Sequence, residues 1–380
     1  MPEPVRIGLV AGEASGDQLG APLIAELKKL FPQAEFAGIG GDKMIDQGIT
    51  SLFPMERLSV MGFIDPLKRL PELLKIRKEL YRHFLENKFS LVVGIDAPDF
   101  NLGLELKLRK KGLATAHYVS PSVWAWRQGR VKKIARAVDH MLTLFPFEAD
   151  FYRDYHVPVT FVGHPLADQF PEQPNTLGAR RSLDVPSEAV IIALMPGSRI
   201  SEINLMGELF FQVAERCTSQ LDNVLFLIPS ANPACHDLLQ SLASQFSHLP
   251  LRVINGRSHQ VLEAADAVLM TSGTTTLETM LMKKPMVVTY RMGNFSYQLA
   301  SRLVKTPYIS LPNLLAKREL VPEFIQDQAT VENIAPALLG LLQDQQNREQ
   351  LIVEFNRLHR ELRQNNAVVA ANTLAGLINA

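Results

Sequence analysis

Cysteine is nearly absent from this chain: only Cys217 and Cys235 occur, and neither stands at a metal-like spacing from histidine. Both are expected to be free thiols in a reducing compartment. Net charge is missing as well, since Lys+Arg 39 balance Asp+Glu 39. Bulk charge therefore points to no nucleic-acid partner, and any preference for anions must come from local placement. No apolar run approaches the roughly 18–20 residues that span a bilayer. Met1-Pro2-Glu3-Pro4 leads straight into a short strand with no cationic and apolar leader. A cytoplasmic location follows as an expectation, with membrane contact only at the surface. Short repeats and low-complexity segments are lacking too. No set of His, Asp, Glu and Cys has ligand spacing, so no metal and no other cofactor is expected.

What is present is ordinary globular composition, 47% hydrophobic and 21% charged over 380 residues, enough for two cored domains. Short β-rich runs at Val5 to Val10, Leu91 to Ile95, Ala114 to Val119 and His140 to Leu144 alternate with helical patterns. The second half repeats the scheme at Val190 to Leu194, Val224 to Ile228, Leu251 to Ile254, Ala267 to Met270 and Met286 to Tyr290. Such alternation predicts an α/β fold with two doubly wound, Rossmann-like domains. The expected boundaries are 1–170 for the first domain, 171–187 for a Pro- and Gln-rich linker and 188–345 for the second domain. Helices over 346–380 have no sheet of their own and must return to the first domain or dock on a second subunit.

Several loops fall at predicted strand ends, where open α/β sheets bind ligands. Ala11-Gly12-Glu13-Ala14-Ser15-Gly16-Asp17 combines close backbone approach with a new helix N-terminus. It suits an anionic ligand or a plain turn capped by Ser15 or Asp17, and it is neither a P-loop nor a dinucleotide fingerprint. A second glycine turn, Gly38-Ile39-Gly40-Gly41-Asp42, follows the next strand and is placed at the same crevice. Ile95-Asp96-Ala97-Pro98-Asp99-Phe100-Asn101 follows a fully apolar strand and brings two carboxylates that can divide acid and base roles; either can also cap the helix that follows. His117 and His164, near strand ends, are structural groups or proton shuttles.

Ser120-Pro121-Ser122-Val123-Trp124-Ala125-Trp126-Arg127 places both tryptophans in one loop, with Arg130, Lys132, Lys133 and Arg136 just beyond. An amphiphilic phosphate would satisfy both features, and so would a core pair beside a solvated basic helix. In the second half, Pro196-Gly197-Ser198-Arg199 offers a guanidinium able to grip a diphosphate or a neighbouring carboxylate. Ser272-Gly273-Thr274-Thr275-Thr276 is dense in hydroxyl and N–H donors, and Glu278 one turn later suits ribose hydroxyls or simply the helix dipole. Val60 to Ile64, with Met61 and Phe63, leads into a helix where Leu70, Leu73, Leu74, Ile76, Leu80, Tyr81 and Phe84 recur among Lys68, Arg69, Lys75, Arg77, Lys78 and Arg82. A basic amphipathic helix of this kind covers a sheet, lies on an anionic membrane, or does both.

In order along the chain, AGEASGD, GIGGDKM, GIDAPDFN, YVSPSVWAWR, FVGHPLAD, MPGSR, SGTTTLE, KPMVVTYRM and SLPNLLA closely resemble the lipid-A-disaccharide synthase family, from about Ile7 to Gln326. That resemblance implies a GT-B fold, two Rossmann-like domains facing across a cleft. It also implies an inverting glycosyltransferase that joins UDP-2,3-diacylglucosamine to 2,3-diacylglucosamine 1-phosphate through a β-1,6 linkage and releases UDP. It makes Asp99 the favoured catalytic residue; on the reading of their loops Asp96 and Glu13 come next. It adds Asn313 and the candidate Gln326 to Arg199 in the nucleotide site, where the loop readings already place Ser198, Gly197, Ser272, Gly273, Thr274, Thr275 and Glu278. Met61, Phe63, Ser120, Trp124, Trp126 and Arg127 are expected against the acceptor and its acyl chains. The family sits on the cytoplasmic face of the inner membrane, and a homodimer with exchanged C-terminal elements is a further implied state. Two rivals share parts of the pattern: a UDP-sugar 2-epimerase, and a lipid-phosphate binding protein without activity. The tryptophan loop and basic helix speak against the first, the placement of Asp99 and Glu278 against the second.

Overall fold

Each half of the chain winds its strands about a central first strand. The structure, a computed structural model, describes residues 4–58, 65–126, 128–293, 297 and 306–379, with side chains from residue 69 onward in the helix that begins at Asp65. The chain divides into two units, Met1–Asp168 with Leu362–Ala380, and Gln169–Glu361.

In the first unit, strands β1 (Arg6–Ala11), β2 (Glu35–Ile39), β3 (Thr50–Ser51), β4 (Leu91–Ile95), β5 (Ala114–Tyr118), β6 (His140–Thr143) and β7 (Val159–Phe161) form one sheet. Their order is β3-β2-β1-β4-β5-β6-β7 and every pairing is parallel. The second unit repeats the plan with β8 (Val190–Met195), β9 (Val224–Ser230), β10 (Leu251–Asn255), β11 (Ala267–Thr271), β12 (Met286–Tyr290) and β13 (Glu323–Ile325), ordered β10-β9-β8-β11-β12-β13. Ile7, Leu9, Leu91 and Val93 on one sheet, and Ile191, Ala193, Val268 and Leu269 on the other, are wholly buried. Helices cover both faces of these strands, which is why they read as unbroken apolar runs.

Both orders reverse direction beside the first strand of the unit. That point lies between β1 and β4 in the first sheet and between β8 and β11 in the second, and the loops leaving those strands diverge to open a crevice at the carboxyl edge. The short strands β3, β7 and β13 were not expected from the sequence.

Two expected boundaries move. The stretch 171–187 is not a free linker: Thr176–Ser182 is helical, capped by Asn175 Oδ1 accepting from Gly178 N at 2.9 Å. Arg180 there is 7% exposed and donates to Ala264 O and to Asp266 Oδ2, so the segment is pinned to the second unit. The helix Gln345–Leu362 also stays with the second unit, where Leu351, Phe355 and Leu358 are buried; the return begins at Leu362 rather than 346. What returns is Asn366–Ile378, whose Ala370, Ala371 and Leu374 join Leu19, Leu23, Ile24 and Leu27 of the helix Ala14–Leu30 in one core cluster. Asp168 caps it, accepting from Asn365 N (3.0 Å) and Asn366 N (2.7 Å), while Asn366 Nδ2 donates to Gly163 O at 2.8 Å and Asn366 Oδ1 accepts from the Tyr118 hydroxyl. Gly163 is left-handed (φ 84°), and a Cβ on it would lie 2.7 Å from Leu362 O, so this docking needs glycine. Among the described residues no helix is long and apolar enough to cross a membrane.

Candidate active site

The carboxyl edge of the first sheet carries a cluster of strained backbone. Asp96 and Ala97, directly after β4, are both left-handed (φ 54° and 44°), and so is Val119 after β5 (φ 80°). A β-branched residue in that region is a genuine outlier, and each such residue costs about 1–3 kcal/mol, a cost met mostly at functional sites. The turn is held by Asp96 N donating to Tyr118 O and by Ala97 N donating to Asp96 Oδ1, both at 2.8 Å. The β1 loop lies against it: a Cβ on Gly12 would come within 2.6 Å of Ala97 Cβ. Exposed Glu13 therefore stands beside the Asp96 turn.

Asp99 lies three residues on, in the first turn of the helix Pro98–Arg109. Its side chain is 89% exposed and its Oδ1 accepts from Arg130 Nη2 at 2.6 Å. Arg77 holds the same turn from below, donating to Asp99 O at 3.0 Å with its guanidinium 4.9 Å from the Phe100 ring centre. Burial lowers the Arg77 pKa, opposed by the Asp99 charge. Asp96 thus stands at the switch point itself, in the strained turn at the strand end, while Asp99 lies in the first turn of the helix in an exposed ion pair with Arg130.

Other first-unit residues take structural roles. Asp17 is buried and accepts from Gly41 N, Lys43 N and Met44 N at 2.9–3.1 Å, so its carboxylate fills the anion cradle of the second glycine turn. Ser120 faces inward, within 3.0 Å of the Tyr152 hydroxyl. Trp124 donates to Glu148 Oε1 at 3.2 Å and packs edge-on against Phe147. Burial pushes Glu148 up to about 8. These contacts occupy the Ser120 hydroxyl and the Trp124 N–H, and of the two tryptophans Trp126 is the more exposed, at 37%. His164 is buried, brought down to about 4 by desolvation, and accepts from Leu166 N at 3.2 Å, which makes it a turn-forming group. Met61, Phe63 and Arg127 lie outside the described residues.

In the second unit, a cavity of about 560 Å³ opens at the β8/β11 switch point. Gly197, Ser198, Arg199, Ser272, Gly273, Thr274 and Thr275 all line it, together with Pro229 and Ser230 from the end of β9 and Gly256 and Ser258 beyond β10. Here the backbone strain falls on Gly197 (φ 135°), which bears it without steric cost. Glu202 closes the Pro196–Arg199 turn, its Oε2 accepting from Ser198 N at 2.9 Å and its Oε1 from Arg199 Nη1 at 3.0 Å. Arg199 is nevertheless 77% exposed, and an ion pair of that kind is weak enough to exchange for a diphosphate.

Three expected nucleotide residues do not line the cavity. Glu278 lies 3.6 Å from His259 Nε2, and its carboxylate raises the His259 pKa. Asn313 is wholly buried and donates to Val321 O and Glu323 Oε1 while accepting from Leu320 N and Val321 N. Gln326 clamps Met292 with both ends of its amide. The organising residue, missed in the sequence, is Glu323. Its carboxylate accepts from Ile309 N, Ser310 N, Ser310 Oγ and Asn313 Nδ2 at 2.6–2.9 Å. Ser272 Oγ donates to Ile309 O at 2.7 Å, so this hub fixes the Ser272–Thr275 wall of the cavity. Nothing in its sequence neighbourhood marks it, because the three-residue strand it opens is itself not evident before the fold.

Paired Rossmann-like units, each with polar loops at its switch point, define a GT-B type α/β protein. A UDP-GlcNAc 2-epimerase from Neisseria meningitidis bound to UDP-GlcNAc matches with TM-score 0.63 and 13% identity, over 98% of this chain and 100% of that one. The glycotransferase of kitacinnamycin matches with TM-score 0.61 and 16% identity, over 99% and 100%. Likeness at that identity establishes the fold alone. Sequence comparison goes further: the family model for lipid-A-disaccharide synthetase matches residues 7–374. The lipid-A-disaccharide synthase of Cellvibrio japonicus is 50% identical over 98% of this chain and 97% of its own, and that of Pseudomonas aeruginosa 50% identical over 100% and 99%. The chain belongs to the lipid-A-disaccharide synthetase family, and so to the glycosyltransferases.

Proposed function

We propose that the chain transfers a 2,3-diacylglucosamine unit from UDP to the 6-hydroxyl of 2,3-diacylglucosamine 1-phosphate, with inversion, giving the β-1,6-linked disaccharide 1-phosphate and UDP. The observation that carries this reading is the family match over 7–374, which takes in both switch-point loops. In the reaction, a bond forms from the acceptor oxygen to the anomeric carbon as the bond from that carbon to the diphosphate breaks. The electron pair leaves with UDP, and the hydroxyl proton passes to a carboxylate.

Asp96 is that base in our reading, aimed by the strained turn. Glu13 and Asp99 add negative charge beside it, which favours the positive charge developing on the sugar ring. Arg199 and the N–H and hydroxyl donors of Ser272, Gly273, Thr274 and Thr275 receive the charge left on UDP. The epimerase alternative loses its support, because its likeness stops at the fold whereas relatives at 50% identity are lipid-A-disaccharide synthases.

Surface contact with an anionic membrane completes the proposal, at the cytoplasmic face. On the helix Asp65–Glu86, Ile76, Leu80 and Phe84 are buried against the sheet. Leu70 and Leu74, 46% and 48% exposed, stand on the outer face with Lys75, Lys78 and Arg82. Apolar anchors among cations suit anionic lipid. A homodimer belongs to the proposal as well.

UDP release from UDP-2,3-diacylglucosamine in detergent, with and without 2,3-diacylglucosamine 1-phosphate, tests the central reading. Acceptor-dependent release with disaccharide formed is expected; tight lipid binding without turnover would overturn it.

A further inference from the structure

Beneath the Asp96 turn lies a buried polar cluster for which the reaction as written has no use. His117 on β5 and Glu105 on the helix Pro98–Arg109 are both 0% exposed, and His117 Nδ1 lies 2.8 Å from Glu105 Oε1. Asn101, one helical turn before Glu105 and equally buried, donates through Nδ2 to Asp96 O at 2.8 Å and Val10 O at 3.0 Å. Both partners are carbonyls, so the orientation of this amide is fixed, and it ties the ends of β1 and β4 together at the strained turn. Room for the cluster comes from Gly94: a Cβ there would lie 2.1 Å from Glu105 Oε1 and 2.7 Å from Asn101 Cβ.

Asn101 Oδ1, Glu105 Oε2 and His117 Nε2 are buried with no hydrogen-bond partner among the described residues. One unmet buried polar atom costs about 1–3 kcal/mol, more when charged, and folded proteins keep few of them. Apolar side chains would fill the same space at no such cost. Unpartnered carboxylate, imidazole and amide atoms on neighbouring side chains of one helix and the adjacent strand are the setting in which internal water is bound, with about three hydrogen bonds each.

We propose that Asn101, Glu105 and His117 form a water-binding positioning unit that holds the Asp96–Ala97 turn in its strained conformation and so aims the Asp96 carboxylate. Glu105 and His117 orient Asn101 Oδ1 through bound water; Asn101 Nδ2 then fixes the Asp96 carbonyl, and Ala97 N–H fixes the carboxylate. The proposal rests on Asp96 being the base, and three residues remote from substrate become positioning residues for the transfer.

Steady-state kinetics of Glu105→Gln, Asn101→Ala, Asp96→Asn and the Glu105→Gln, Asp96→Asn pair test it, with near-UV circular dichroism to check folding. Glu105→Gln is the isosteric variant and keeps the test decisive if Asn101→Ala misfolds. The expected result is a fall in kcat of about 10- to 100-fold for Glu105→Gln, with KM for both substrates within about twofold, as for loss of geometry at a distance. The double variant should lose no more than Asp96→Asn alone, because the unit acts through that carboxylate. Normal kcat in folded Glu105→Gln and Asn101→Ala beside a crippled Asp96→Asn would overturn the positioning unit and leave the base in place. Additive losses in the double variant would overturn action through Asp96. Near-normal turnover of Asp96→Asn would overturn the assignment of the base, and the inference with it.

Discussion

The two switch points share a topology and differ in how their loops are held. At β1/β4 the left-handed residues are Asp96 and Ala97, with Val119 one strand over, and polar groups are locked into the fold above a buried His–Glu pair. At β8/β11 the strain falls on a glycine, Arg199 is mostly exposed, and a cavity of about 560 Å³ is ringed by hydroxyls. Rigid, costly geometry suits a group that must meet a reacting atom within a fraction of an ångström. Open geometry with exchangeable partners suits a nucleotide that must enter and leave.

Exchanging the demands on the two sites breaks this contrast most sharply. Asp96→Asn should lower kcat by about 100- to 10,000-fold, the usual worth of a positioned base. Calorimetric UDP binding should stay close to that of the parent. A larger loss for Asp99→Asn would reverse the assignment. Arg199→Ala should weaken UDP by about tenfold, roughly 1.4 kcal/mol, and unchanged UDP affinity would return the residue to its Glu202 pairing. Serine at both Leu70 and Leu74 should reduce co-sedimentation with anionic vesicles several-fold while turnover in detergent persists; equal vesicle binding would remove that surface.

Smaller effects sharpen the comparison through stability. Ala97→Gly removes a Cβ from a left-handed site and should raise the thermal midpoint by a few degrees, about 1 kcal/mol, while lowering kcat through a looser turn. Glu148, raised from 4.5 to about 8, binds its proton more tightly in the folded state. Stability it contributes is therefore full below about 4.5 and lost as pH rises toward about 8. His164, lowered from 6.5 to about 4, acts in the opposite sense, its contribution being lost as pH falls from 6.5 toward about 4. Glu148→Gln should flatten the alkaline side of a melting-temperature profile and leave the acid side unchanged.

The strand ends and their loops were legible in the sequence because doubly covered parallel strands are apolar throughout and stop at glycine, proline or aspartate. Ser198, Arg199 and Ser272 to Thr275 were placed at the cavity on that basis. What was hidden depends on tertiary partners. Asp17 reads as a free carboxylate in a glycine loop until three N–H groups from another turn close on it. Asn313 and Gln326 read as ligands, and the bonds of Asn313 to Val321 and Glu323 and of Gln326 to Met292 appear only in the fold. Left-handed backbone leaves no sequence trace when the residues are Asp, Ala and Val, so the strain at Asp96 shows only in the fold. Glu105 and His117 sit on separate elements, and nothing in their spacing announces a pair.

The returning helix Asn366–Ile378 sets a schedule for biosynthesis. The first 168 residues leave the ribosome long before the segment that seals the outer face of Ala14–Leu30. At ordinary elongation rates the wait is about 10–40 s. Throughout that interval Leu19, Leu23 and Ile24 lack part of their cover, so a nascent chain stalled before Asp168 meets Asn366 is a natural client for a holdase.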